Sequence, residues 1–109
     1  MKAKMITINN CDYELIELLY DNKNSRIYKC SCNNNFYILK CYREKKIQAW
    51  INELNVLKDV NGHPNIIQMV DYHKDIEIQN NKYNIIVMEY AEFGDLHEYL
   101  IDNIGDITK

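Results

Sequence analysis

The sequence predicts an α+β domain, a five-stranded antiparallel sheet with one amphipathic helix packed on a face and a short trailing helix. Three observations carry this. Runs rich in branched and aromatic residues recur between asparagine-rich turns, as at Tyr13–Tyr20, Arg26–Cys32 and Phe36–Tyr42. One stretch changes period: Ile47, Trp50, Ile51, Leu54 and Leu57 recur at helical spacings of three and four. The elements then run strand, strand, strand, helix, strand, strand, helix, with no internal repeat and no flexible linker.

Each element has its own justification. Residues 1–12 lack a clear amphipathic pattern and read as a leader or a short added strand. The first strand covers about 13–20, with apolar Leu15, Ile16, Leu18 and Leu19, and closes at the polar turn Asp21-Asn22-Lys23-Asn24-Ser25. The second covers about 26–32 and the third about 36–42. The Asn33-Asn34-Asn35 triplet between them suits a tight hairpin, because asparagine tolerates positive φ. The helix runs over about 46–60 and stops at Asn61-Gly62, with Pro64 beyond. The fourth strand is expected over 66–78, a turn at Asn80-Asn81-Lys82, and the fifth strand over 83–90. Gly94 breaks the chain before a short helix over 96–104, and 106–109 form a tail.

Composition narrows the function. A chain of 109 residues with 47 % hydrophobic residues can fill one core and no more. Thirteen basic residues against sixteen acidic ones leave a net charge of −3, without the basic bias of a nucleic-acid binder. The longest apolar runs fall far below the ~20 residues of a membrane span. Cys11, Cys30, Cys32 and Cys41 form no C-x-x-C pair and no zinc-ligand spacing with the scattered histidines. They read as reduced structural thiols. With no signal peptide pattern, the expected setting is cytoplasmic or nuclear.

The chemistry concentrates in four ordered motifs. Tyr37-Ile38-Leu39-Lys40 is a strand whose lysine stands thirteen residues before Glu53 on the helix. Gly62-His63-Pro64-Asn65-Ile66-Ile67 follows the helix, and Ile86-Val87-Met88-Glu89-Tyr90-Ala91-Glu92-Phe93-Gly94-Asp95-Leu96 closes the pattern. In that order and spacing, over about Tyr13 to Gly105, they resemble the N-terminal lobe of a eukaryotic-type protein kinase, serine/threonine type favoured. The resemblance implies that Lys40 holds the α- and β-phosphates of ATP and that Glu53 positions it. Strand alternation puts Phe36, Ile38, Lys40 and Tyr42 on one face and Tyr37, Leu39 and Cys41 on the other. The bland alternative makes Lys40 and Glu53 an exposed pair worth only about 0–1 kcal/mol.

The resemblance assigns further positions. Ile27 and Ile38 flank the adenine, Met88 is the gatekeeper, and the backbone of Glu89 and Ala91 faces the adenine edge. Asp95 falls where kinases place an acid near the ribose or peptide, and serves equally as an N-cap for the helix after it. Leu57 and Met69 match positions that stack between the two lobes, or simply pack the core.

Three departures qualify these expectations. Aligning Ile27 with the valine after G-x-G-x-x-G puts Tyr20, Asn22 and Ser25 at the glycine positions, where backbone amides approach phosphates. Asn22 tolerates positive φ there; Tyr20 does so much less readily. Ile38 replaces a customary alanine and narrows the adenine slot. No H-R-D-x-x-x-x-N or D-F-G occurs before Lys109, so the chain alone is expected not to transfer phosphate, and magnesium is expected only in a complete kinase. Two functions stay open: the ATP-binding lobe of a kinase, or a non-catalytic, pseudokinase-like module. The second would bury its apolar lobe-facing surface against another copy of itself or a partner protein.

Overall fold

The computed structural model describes residues 4–60 and 68–90. Six strands, one helix and one 3-10 turn fill that range. The strands are β1 (Lys4–Ile8), β2 (Cys11–Asp21), β3 (Ser25–Cys32), β4 (Asn35–Arg43), β5 (Met69–Ile78) and β6 (Asn81–Glu89). The 3-10 turn Glu44–Lys46 leads into helix α1 (Ile47–Val60). All pairings are antiparallel, in the order β1-β2-β3-β4-β6-β5.

The sheet therefore has six strands, which corrects the five-strand expectation. The addition comes from the stretch expected as a leader or a short added strand. Lys4–Ile8 pairs with Cys11–Leu15 across a two-residue turn in which Asn9 and Asn10 hold φ of 49° and 69°. Paired positive φ makes a hairpin turn whose twist matches the flanking strands. Asn33 and Asn34 repeat the device between β3 and β4, at 51° and 66°, as expected from their sequence. Between β5 and β6 the same geometry falls on Gln79 and Asn80, at 52° and 69°, one residue earlier than the Asn80–Lys82 turn expected. The difference is that Gln79, a poor candidate for this region by type, takes the first position.

Strand alternation splits the core into two clusters, one on each face of the sheet. One holds Ile6, Ile8, Tyr13, Tyr28, Cys30, Cys32, Leu39, Cys41, Ile78, Tyr83, Ile85 and Val87. The sheet curls around it, and Asn9 Nδ2 on the first edge donates to Asp71 Oδ1 on the last at 2.8 Å. The added strand thus closes a face that five strands would leave more open, since Ile6 and Ile8 are both buried there.

The second cluster holds Ile27, Ile38, Tyr42, Ile86 and Met88 from the sheet and Trp50 and Leu54 from α1. Leu19, Tyr20, Ile47, Ala49, Leu57 and Met69 pack against it. This is the face on which the helix docks. The helix shows it Trp50, Glu53 and Leu54, spaced as one stripe. The trailing helix expected over 96–104 lies outside the described residues.

Candidate functional site

Lys40 sits in the middle of β4, opposite Ile27 of β3 on one side and Ile86 of β6 on the other. A central strand presents its side chain in a fixed direction, and alternation sends Lys40 to the helix face. The stripe of α1 that buries Trp50 and Leu54 carries Glu53 inward as well. The two meet as an ion pair, Lys40 Nζ to Glu53 Oε1, with side-chain exposures of 0 % and 3 %. The exposed-charge alternative is excluded by that burial.

A buried pair needs its remaining hydrogen-bonding capacity met. Tyr42, two residues along the same face, supplies part of it: its hydroxyl donates to Glu53 Oε1 at 2.6 Å. Its ring also lies 4.4 Å from the Lys40 ammonium, centroid to Nζ. Burial pulls the Lys40 pKa down to about 8, with the charge and hydrogen bond of Glu53 opposing the shift. Burial also drives the Tyr42 phenol upward, reinforced by the adjacent Glu53 charge. The helix is fixed from a second point, where Trp50 Nε1 donates to the Ile85 carbonyl at 3.0 Å. Sequence reading placed Tyr42 on the correct face but gave it no role, and read Trp50 only as part of an apolar stripe. The available signal was that a buried indole or phenol needs an acceptor.

Three of the other expected site residues gather around this centre. Ile27, Ile38 and Met88 are fully buried in the same cluster, Ile38 and Met88 directly paired across β4 and β6. Leu57 and Met69 pack against it. Glu89 ends β6, where its amide donates to the Gln68 carbonyl at 3.1 Å and its carboxylate accepts the Gln68 amide at 2.9 Å. Ala91 and Asp95 lie outside the described residues. Phe36, nominally on the Lys40 face, is exposed at the strand end, with the Lys29 ammonium 4.5 Å from its ring centroid. The cysteines take no part in this site. Cys30, Cys32 and Cys41 lie in the opposite core, where burial pushes the Cys30 thiol up to about 12 and makes it a poor nucleophile.

The segment at the glycine positions is a short, tied-down turn. Asn22 Oδ1 accepts the backbone amides of both Asn24 and Ser25 at 2.8 Å, and the Asn22 amide donates to the Ser25 carbonyl at 3.0 Å. No residue from Tyr20 to Ser25 has positive φ. Asn22 was expected to serve by tolerating that conformation; it serves instead as a side-chain acceptor.

The arrangement is a buried cation held on a central strand by a helix carboxylate, beside the buried apolar side chains of Ile27, Ile38 and Met88. A family model described as the protein kinase domain matches residues 13–108. Over 92 residues the chain is 33 % identical to the probable serine/threonine-protein kinase FMP48 of Saccharomyces cerevisiae, covering 78 % of this chain and 22 % of that protein. It is 32 % identical over 108 residues to the serine/threonine-protein kinase MPS1 of the same yeast, covering 94 % of this chain and 12 % of the relative. With the serine/threonine-protein kinase ksp1 of Schizosaccharomyces pombe it shares 32 % identity over 74 residues, covering 66 % and 14 %. The chain thus spans less than a quarter of the length of these relatives.

Proposed function

The chain belongs to the protein kinase domain family, and from that premise we propose that it is the ATP-binding lobe of a serine/threonine-type protein kinase. The observation that carries the reading is the buried Lys40–Glu53 pair, held between sheet and helix and braced by Tyr42. The residues fit a nucleotide by chemistry: one ammonium for a phosphate, and the apolar side chains of Ile27, Ile38 and Met88 for a base. Lys40 neutralises and positions the α- and β-phosphates, while Glu53 and Tyr42 keep the ammonium on its bearing. ATP, bound with magnesium, would supply the transferable γ-phosphoryl group. Phosphoryl transfer to a serine or threonine hydroxyl is proposed for this lobe joined to the remainder of a kinase domain.

A thermal-shift titration with ATP, with and without magnesium, tests the reading on the wild type and Lys40→Ala. A ligand that binds only the folded state stabilises it by about 2.7 kcal/mol at a hundredfold excess over Kd. Each protein is compared with its own ligand-free midpoint. The expected result is an upward shift in the wild type that Lys40→Ala loses. No shift in the wild type, or an equal shift in both, overturns the proposal.

A further inference from the structure

The turn that replaces a glycine-rich loop has committed three of its backbone amides, those of Asn22, Asn24 and Ser25, to acceptors within the turn. A phosphate-binding loop works through amides that converge on an empty concavity, usually with some residues at positive φ. Between β2 and β3 that condition fails twice. The Asn24 and Ser25 amides both point to Asn22 Oδ1 at 2.8 Å, and the Asn22 amide is bonded to the Ser25 carbonyl. No residue from Tyr20 to Ser25 has positive φ, so the turn lacks the left-handed residues that usually shape such a concavity.

The turn is also anchored from outside. Arg43, the last residue of β4, donates through Nη2 to the Asn22 carbonyl at 3.1 Å and to Asp21 Oδ1 at 3.2 Å. The Arg43 amide donates to the Asn24 carbonyl at 3.1 Å. On the opposite side Asn22 Nδ2 donates to the Tyr20 hydroxyl at 2.9 Å, and Tyr20 packs against the cluster that contains Ile27, Ile38 and Met88. Asn22 therefore bonds through its side-chain oxygen, its side-chain nitrogen, its amide and its carbonyl at once.

We infer that Asn22 is a specificity-determining residue: its carboxamide takes the place a phosphate oxygen occupies in a glycine-rich loop, so the turn does not read the γ-phosphate. The inference rests on the nucleotide reading given above and sharpens it. Discrimination among adenine nucleotides then falls to Lys40, which reaches the α- and β-phosphates and not the terminal one. ADP and ATP bind alike, and a diphosphate is as good a ligand as a triphosphate. Removing the Asn22 acceptor frees the Asn24 and Ser25 amides to donate to an anion instead.

Two measurements on the 109-residue chain decide it. The first is calorimetric titration with ADP and with ATP, without magnesium, on the wild type and Asn22→Ala. The second is residue-resolved hydrogen exchange at the Asn24 and Ser25 amides, on the same two proteins and on Asn22→Asp, which keeps a side-chain acceptor. The expected wild-type affinities agree within about threefold, and Asn22→Ala favours ATP over ADP by about tenfold, the gain of a charge-assisted hydrogen bond. Both amides exchange about tenfold faster or more in Asn22→Ala than in the wild type or Asn22→Asp. A wild type that prefers ATP tenfold, or amides that exchange equally fast in all three proteins, overturns the inference. If neither nucleotide binds the wild type, the nucleotide reading fails. ATP binding that appears only in Asn22→Ala would then support the block by Asn22, and silence in both proteins would overturn it.

Discussion

The hydroxyl of Tyr42 donates to the same carboxylate oxygen of Glu53 that receives Lys40, at 2.6 Å and out of contact with solvent. The oxygen is thereby shared between a residue on the strand that carries the lysine and the lysine itself. Glu53 is drawn to one spot on the sheet, and the helix comes with it. Tyr42→Phe keeps the ring beside the ammonium and removes only the donor. A hydrogen bond to a charged group is worth about 1.5–3 kcal/mol, so the variant is expected to lose that much stability by urea unfolding. A loss below about 0.5 kcal/mol, within the scatter of neutral surface changes, would show that the hydroxyl is not holding the carboxylate.

Removing either charge is expected to cost more than removing both. Lys40→Met leaves the Glu53 carboxylate buried without its counter-ion, and Glu53→Leu leaves the ammonium so. Each is expected to lose about 3–5 kcal/mol. The combination Lys40→Met, Glu53→Leu and Tyr42→Phe leaves no buried charge and no hydroxyl without an acceptor. Replacing a buried pair by apolar side chains of similar volume is often neutral or stabilising, so the triple variant is expected to unfold at higher urea than either single one. Equal or greater loss in the triple variant would show that folding itself depends on the buried charges.

The Asn33-Asn34 turn gives a local test of the backbone argument. Asn34 holds φ of 66°, a region that costs an ordinary L-residue about 1–2 kcal/mol. Asn34→Ala is expected to destabilise by about that amount, whereas Asn34→Gly, which carries no Cβ, is expected to be neutral or stabilising. Chemical denaturation of the two variants checks it. An alanine variant as stable as the glycine one would mean that the turn has moved to another geometry.

Much of this architecture is legible in the sequence because it is written in short-range periodicity. The alternation along Phe36–Tyr42 and the spacing of Trp50, Glu53 and Leu54 assign faces without knowledge of the partners. Lys40 and Glu53 are legible by their spacing together with the motifs on either side. The strand Lys4–Ile8 was less so, although Asn9-Asn10 carries the same turn chemistry as Asn33-Asn34. Its burial depends on Ile6 and Ile8 meeting Ile78 and Tyr83 across a curled sheet, a contact between distant parts of the chain. Tyr42 is a similar case: its face follows from its parity with Lys40, its acceptor only from where α1 docks. Asn22 was read through its tolerance of positive φ, when its side chain was the group that counts. Residue type there allows both uses, and the hydrogen bonds from Asn24 and Ser25 decide between them.

Alkaline pH is expected to unfold the chain earlier than its mixed surface charge suggests, because five buried acids among the described residues are held protonated in the folded state. Burial pushes the thiols of Cys30, Cys32 and Cys41 above their ordinary 9.0 and the phenols of Tyr13 and Tyr42 above 10.0. A raised folded pKa means that the unfolded chain releases the proton first. The stability these groups contribute is complete below their unfolded values and is lost as pH climbs towards the folded ones. Lys40 acts in the opposite sense, since its pKa is lowered to about 8 from 10.5: the cost of burying its charge eases as pH rises across that window. Each proton released only on unfolding contributes a slope of about 1.4 kcal/mol per pH unit. The lysine window opens first, near pH 8; from about pH 9 the three thiols outweigh it, and the two phenols add to them at higher pH. Urea midpoints in the presence of a thiol reductant should therefore change little between about pH 7.5 and 9 and fall between about pH 9 and 10. In the variant that combines Cys30→Ala, Cys32→Ala and Cys41→Ala the decline should start about one pH unit later, where the tyrosines alone are left to drive it. A midpoint that stays level to pH 10 in the wild type would mean that these thiols and phenols titrate in the folded chain as freely as in the unfolded one.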